Sequence, residues 1–310
     1  MKPRVLVVGG TYFAGRVFTM VASQTCALTL LNRGRYSMSH YPDVTELRCD
    51  RRDAAALAAL PAAEYDAIVD FCAYAPGEIG TLTRALNATF KKYVYISTAD
   101  VYDRSAPQPW TEQTPIGTDF SIASPETAAY LAGKAALERE CAAVCAERGA
   151  DCFILRPAFL YGPYNYAPRE PWYIQTAVSG RPIPQPTDAD GRFQFVYVKD
   201  LAMAVLACLQ PEAPTGTHAY NLAAPEVFDY DSFLAALRAA ADRPIAAVPV
   251  TVEQVLRENL PLPFPLRAQE SELFDGSLAE RELGLRYTPF ADGMQKAWNA
   301  FAPIFEQTAK

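Results

Sequence analysis

Arg4-Val5-Leu6-Val7-Val8-Gly9-Gly10-Thr11-Tyr12-Phe13-Ala14-Gly15 opens the chain and decides its fold. Arg4 to Val8 is a short apolar run bounded by glycine, the pattern of a strand buried on both faces of a parallel sheet. The stretch Arg16 to Ser23 that follows reads as helix. Glycines at a strand-to-helix turn let the backbone approach a pyrophosphate, which the helix amino end then holds through free N–H groups and its dipole. On that reading Gly9, Thr11, Tyr12, Phe13, Ala14 and Gly15 form a phosphate-binding turn. A plain glycine turn is the bland alternative, and the strand–turn–helix context weighs against it.

Two stretches further along carry chemistry. Tyr93-Val94-Tyr95-Ile96-Ser97-Thr98 is a β-rich run ending in hydroxyls, and a hydroxyl at a strand's carboxyl end lies where open α/β sheets bind ligands. Tyr130 and Lys134 sit in a stretch rich in Ala, Leu and Glu that reads as helix. Four residues apart, they share a helix face. An ammonium there is expected to lower the phenol's pKa from about 10 toward neutrality, as general acid–base work requires. Taken alone, the pair is more often an ordinary surface pair. Its weight comes from the two upstream features.

Strand and helix alternate through the rest of the chain. Strands are expected at 27–31, 44–49, 67–71, 93–97, 152–156 and 219–222, and an alanine-rich helix at 54–63. A long helix is expected over 125–148, started by Ser124 as N-cap and Pro125 at the first position. Such alternation implies a doubly wound parallel sheet of the Rossmann type. After Pro163 the character changes: Tyr, Pro and Trp crowd into 164–172. We therefore expect a dinucleotide-binding domain at 1–163, rejoined by a returning segment at 192–224. A smaller substrate-binding lobe would come from 164–191 and 225–310.

At 310 residues, with half of them hydrophobic, the chain can build a sizeable core. A net charge of −7 argues against non-specific nucleic-acid or membrane binding. No apolar run approaches a membrane span, and the first strand starts at residue 4 with no signal peptide before it. Seven cysteines lack Cys-x-x-Cys spacing. Cys141 and Cys145 share a helix face, yet only His40 and His218 exist to help them, so no metal is expected. The chain reads as cytoplasmic and reduced.

In order along nearly its whole length, the chain resembles an extended short-chain dehydrogenase/reductase of the NAD(P)-dependent epimerase/dehydratase superfamily. Gly9 and Gly15 match the ends of Gly-x-x-Gly-x-x-Gly, Thr98 matches the strand-end hydroxyl, and Tyr130 and Lys134 match Tyr-x-x-x-Lys. Leu155 to Pro163 resembles the Arg-Pro-x-x-x-Tyr-Gly-Pro segment. Phe195 to Ala202 resembles Phe-x-x-Val-x-Asp-x-Ala, and Ala219 to Ala223 a Tyr-Asn-Leu strand. The resemblance implies that Tyr130 exchanges a proton with substrate, Lys134 holds the nicotinamide ribose, and Thr98 hydrogen-bonds the reacting oxygen. It also implies that Asp50 contacts adenine. Tyr12 departs from the pattern at the middle glycine.

Cofactor choice turns on Asn32 and Arg33, which stand where an Asp or Glu usually holds the adenosine ribose of NAD. Losing that carboxylate and gaining an arginine favours the 2′-phosphate of NADP over NAD; solvated arginines are the bland alternative. Asp100 matches only the second acid of the dehydratase members, and Ala99 fills the first. Phe159 stands where nucleotide-sugar members place an Asn. Arg192 precedes a returning strand where the family often places an arginine for a diphosphate. Tyr164, Asn165 and Tyr166 are further candidates for a substrate pocket. The favoured reading is an NAD(P)-dependent epimerase or reductase of a nucleotide-linked sugar. A reductase or dehydrogenase of a non-nucleotide alcohol or ketone stays open, as does a non-catalytic sensor or RNA-associated protein. A homodimer also stays open.

Overall fold

The computed structural model describes residues 2–121, 124–241 and 243–308, so the last two residues of the expected lobe lie outside it. The first six strands are β1 (Arg4–Val8), β2 (Ala27–Asn32), β3 (Val44–Arg48), β4 (Ala63–Asp70), β5 (Ala88–Ile96) and β6 (Asp151–Pro157). The later strands are β7 (Phe159–Tyr161), β8 (Ile183–Pro186), β9 (Phe193–Tyr197), β10 (Thr217–Leu222), β11 (Val227–Phe228) and β12 (Ala247–Val250). Seven of them form one parallel sheet in the order β10-β6-β5-β4-β1-β2-β3. That order is the doubly wound α/β arrangement expected from the alternation of elements.

Val5 to Val8 are buried because helices cover both faces of β1. Helices Phe13–Ala22 and Val198–Cys208 pack on one face; Glu78–Ala85 and Pro125–Arg148 cover the other. The long helix starts as its sequence predicts. Ser124 Oγ accepts the Thr127 N–H at 3.3 Å, and Pro125 begins the first turn. Among the described residues no helix is long and apolar enough to cross a membrane.

Three expectations need correction. The helix expected over 54–63 ends at Ala58, because Pro61 cannot continue it and the Ala63 N–H goes to Asn87 O at 3.1 Å, starting β4. β4 and β5 each begin earlier than expected. Their polar first halves pair across strands, Lys91 with Asp66 at 2.8 Å, beyond the region where alternation reads as core. Most consequentially, Phe193–Tyr197 does not return to the seven-stranded sheet. It pairs with β7 and β11 instead, and β10 takes the place beside β6. The reason is aromatic: Phe193 and Phe195 pack among Phe233, Phe264 and Phe290, the core of the carboxyl-terminal half.

A buried polar network ties the long helix to the sheet ends. Arg156, on β6, donates to both carboxylate oxygens of Glu138, at 3.0 and 2.7 Å. Ser97 Oγ donates to Glu138 at 2.6 Å. Arg156 also donates to Tyr102 Oη at 2.8 Å, and Tyr102 donates to Asn221 Oδ1 at 2.6 Å. Removing one partner of such a pair strands a buried charge, which costs about 3–5 kcal/mol. Glu138→Ala should therefore lower the unfolding free energy by about that amount in urea titrations. A loss below about 1 kcal/mol would mean that the pair is not what fixes this helix.

Candidate functional site

The carboxyl ends of β1, β2, β4 and β5 open onto a cleft of about 820 Å³. Its floor is the glycine turn. A Cβ on Gly15 would meet the Gly9 carbonyl oxygen at 2.2 Å, so the helix Phe13–Ala22 can press onto the turn only with glycine there. No side chain caps this helix and its first turn carries no acid, which leaves its positive end to face the cleft.

At the far side of the turn lie Asn32, Arg33, Arg35, Asp50, Arg51 and Arg52. Asn32 is buried; its Oδ1 accepts the Gly34 N–H at 2.6 Å while its Nδ2 has no partner. Asp50 spends its carboxylate on Arg52, accepting from the backbone N–H at 3.0 Å and from the guanidinium at 3.2 and 3.1 Å. Those bonds hold its pKa down to about 2. Arg51, which sequence reasoning missed, donates to the fully buried Asp70 at 2.6 Å, and Tyr93 donates to the other Asp70 oxygen at 2.7 Å. Its position directly after Asp50 was the available signal; nothing in the sequence marked Asp70 as its partner.

Thr98, Tyr130 and Lys134 converge at the other end of the same cleft. Thr98 Oγ1 donates to Asp100 Oδ2 at 3.2 Å and caps the short turn Ala99–Val101. The long helix comes close enough to deliver Tyr130 and Lys134 because Gly133 faces Tyr74 O, where a Cβ would stand 2.5 Å away. Lys134 is 2% exposed and donates to Ala73 O at 3.1 Å and Ile96 O at 2.8 Å. The rings of Tyr74, Tyr95 and Tyr130 surround its ammonium at 4.8, 4.9 and 5.8 Å. Burial lowers its pKa to about 8.

The expected lowering of the Tyr130 pKa is not what the cleft imposes. Desolvation and the nearby Asp100 carboxylate hold the phenol above its ordinary range, while Arg169 and the Thr98 hydroxyl pull the other way. The ammonium is turned to two carbonyls instead. Tyr130 is 38% exposed as a residue, yet desolvation is still the largest influence on its phenol.

The expected substrate residues divide. Asp100, Phe159, Asn165 and Tyr166 line the cleft. Asn165, though, spends its amide on both oxygens of buried Glu170, at 2.9 Å each, and serves the fold. Tyr164 lies under the Arg16 guanidinium, 4.7 Å from its ring centre. Arg192 stays away from the cleft and pairs with Asp229 at 2.6 Å. Phe159 forms a wall with Arg169 over its ring at 4.8 Å. Tyr12 leans across the opening in a stack, 5.6 Å from Tyr36 and 4.9 Å from Tyr166. Away from the cleft, Cys152 joins Cys141 and Cys145 in the core, the three sulfurs lying within 4.8 Å of one another. Sequence reasoning had counted only the helical pair.

The uncapped helix end, the glycine turn and the unpartnered Asn32 amide fit a dinucleotide laid along the cleft. Residues 79–223 match the family model of the NAD dependent epimerase/dehydratase family. The chloroplast stem-loop binding protein of 41 kDa b from Arabidopsis thaliana is 27% identical over 258 residues, 78% of this chain. The chain spans only 64% of that relative's length. A dTDP-glucose 4,6-dehydratase from Streptomyces niveus is 26% identical over 234 residues, 65% of this chain and 67% of that protein. Among solved structures, a UDP-N-acetylglucosamine 4-epimerase from Methanobrevibacter ruminantium M1 superposes with a TM-score of 0.77 at 18% identity, over 98% of this chain and 100% of that one. That likeness is one of fold.

Lys134 gives a pH test of the site. Unfolded, it titrates near 10.5; folded, near 8. Between those values the unfolded chain binds a proton that the folded chain has released, so stability gains with rising pH. Relative to Lys134→Met, the wild-type unfolding free energy should rise by up to about 3 kcal/mol across that window. Urea unfolding of both proteins at several alkaline pH values measures it. A difference that stays flat would show that Lys134 is not desolvated.

Proposed function

We propose, from the match of residues 79–223 to the NAD dependent epimerase/dehydratase family and from the cleft itself, that the chain is an NAD(P)-dependent epimerase or reductase acting on a nucleotide-linked sugar. One observation carries the reading: a single cleft joins the glycine turn to Thr98, Tyr130 and Lys134. When bound, the dinucleotide accepts or returns a hydride. Tyr130 moves the proton on the substrate oxygen, and Thr98 hydrogen-bonds that oxygen. Of the three N–H groups on Lys134, two serve Ala73 and Ile96, and the third is left for the ribose. The sugar substrates named for the Streptomyces and Methanobrevibacter proteins support a sugar here.

NADP is the favoured cofactor. Arg33, Arg35 and Arg52 gather at the adenosine end of the cleft, and Asn32 brings no carboxylate to repel a 2′-phosphate.

A second reading, reduction or oxidation of a non-nucleotide ketone or alcohol, draws on two observations. Phe159 offers no hydrogen bond to a sugar nucleotide, and Arg192 is held by Asp229 outside the cleft. A stem-loop-binding role has the name of the Arabidopsis relative behind it, and a net charge of −7 against it. Thermal-shift screens with NADP against UDP-, dTDP-, GDP- and CDP-sugars, and gel shifts with a stem-loop RNA, separate these readings.

Tyr130→Phe should lose ~100- to 10,000-fold in turnover with dinucleotide affinity near wild type. A loss within about threefold would end this mechanism. Arg33→Ala should weaken NADP binding by about ten- to a hundredfold and leave NAD nearly unchanged, as titration calorimetry with both dinucleotides would reveal. Tighter wild-type binding of NAD than of NADP would refute the cofactor assignment.

A further inference from the structure

Arg169 brings a charge to the cleft that the fold does not use. It is the last residue before helix Glu170–Val178, half-buried, and it lines the cleft together with Phe159. Its guanidinium lies over the Phe159 ring, 4.8 Å from the ring centre. Among the described residues it makes neither an ion pair nor a side-chain hydrogen bond. The acid next to it in the chain is already spent. Glu170 is fully buried, and its carboxylate accepts the Gly162 N–H at 2.8 Å and the Asn165 amide at 2.9 Å on each oxygen. Asn165 Oδ1 accepts the Ala167 N–H at 3.0 Å, and the Arg169 N–H donates to Ala167 O at 2.7 Å. These bonds tie the segment down from within, so Arg169 is carried on a fixed wall.

The sheet shows which end of the cleft that wall serves. Phe159 follows the end of β6 and Thr98 follows the end of β5. The two strands are adjacent and parallel, with Ile96 opposite Leu155. Arg169 therefore stands at the reaction end, while Arg33, Arg35 and Arg52 follow β2 and β3 at the other.

We propose that Arg169, backed by Phe159, is a subsite for a carboxylate on the substrate, which is then a sugar acid or, on the second reading above, a hydroxy or keto acid. The proposal rests on the enzymatic reading of the cleft and narrows its substrate class.

Arginine stays charged at any working pH. A partly desolvated charge without a partner is a standing cost that an opposite charge on a ligand removes. The ring covers one face of the guanidinium and leaves the N–H edge as a planar fork. A carboxylate is planar and accepts two parallel bonds from such a fork. Charge balance favours it over a diphosphate. The other charged groups at this end are Lys134, which donates to Ala73 O and Ile96 O, and Asp100, which accepts from Thr98. A diphosphate brings several negative charges to one arginine and one acid; a carboxylate brings a single charge to the arginine.

Calorimetric titration of the NADP-loaded protein with two pairs of probes tests this. Glucuronate is set against glucose, and UDP-glucuronate against UDP-glucose, each pair differing in a carboxylate for a hydroxymethyl group. The acid of at least one pair should bind wild type about ten- to a hundredfold more tightly than its neutral partner. Arg169→Ala should abolish that difference, and Arg169→Lys should restore part of it, since a point charge lacks the fork. NADP affinity should stay within about twofold of wild type in both variants. An Arg169→Ala protein that loses affinity for both UDP compounds alike would show the arginine holding a diphosphate, and overturns the proposal. Equal binding of acid and neutral probe by wild type, no binding of either acid, or loss of NADP affinity in Arg169→Ala overturns it too. Failure of wild type to bind NADP would count against the enzymatic reading itself, and the same titrations on the unloaded protein would still decide the subsite.

Discussion

The bidentate pair of Glu138 and Arg156 is the constraint on which this architecture turns. Glu138 lies one helical turn beyond Lys134 on the helix that presents Tyr130. Through Ser97 the same carboxylate holds the residue next to Thr98. Through Arg156, Tyr102 and Asn221 the network reaches β10, whose neighbourhood anchors the carboxyl-terminal half. Tyr130 and Lys134 from the long helix and Thr98 from the end of β5 are thus referred to one buried carboxylate. Its energetic merit is specificity of placement, since a buried ion pair adds little to net stability.

Electrostatics divides the cleft into two ends. The end near β2 and β3 is ringed by arginines, several already committed: Arg51 to Asp70, Arg52 to Asp50. Arg33 and Arg35 remain at the lip. At the other end the polar groups are phenols, hydroxyls and the Asp100 carboxyl, with a buried lysine. An anion is favoured at the first end, and the second offers uncharged hydrogen-bonding groups around one lysine. A linear cofactor with phosphates on one side and a reactive ring on the other matches that polarity.

Much of this was legible in the sequence because it is local. The apolar run into Gly9 and Gly15 and the Ser124-Pro125 start of the long helix are written in consecutive residues, and the structure places both where expected. What escaped depends on distant partners. Nothing near Glu138 announces Arg156, and nothing near Arg51 announces Asp70. The aromatic residues of Phe193–Tyr197 read as a buried strand, which they are, but periodicity does not say which sheet a strand joins. The Tyr130 environment failed for a similar reason: helix spacing put the ammonium nearby, while the carbonyls that occupy it come from β5 and the loop after β4.

The tyrosine at the middle of the glycine turn gives the cleft a mechanical property. Tyr12 stacks on Tyr36 from the loop after β2 and on Tyr166 from the far wall, so three separate stretches of chain share one column of rings. Each ring pair contributes about 0.5–1.5 kcal/mol beyond its buried area. A ligand that spreads the turn must first part these faces; one that slides beneath leaves the column closed above it. The column therefore acts as a fastening: the turn cannot open without separating rings that belong to three stretches of chain, so its position is tied to both walls of the cleft.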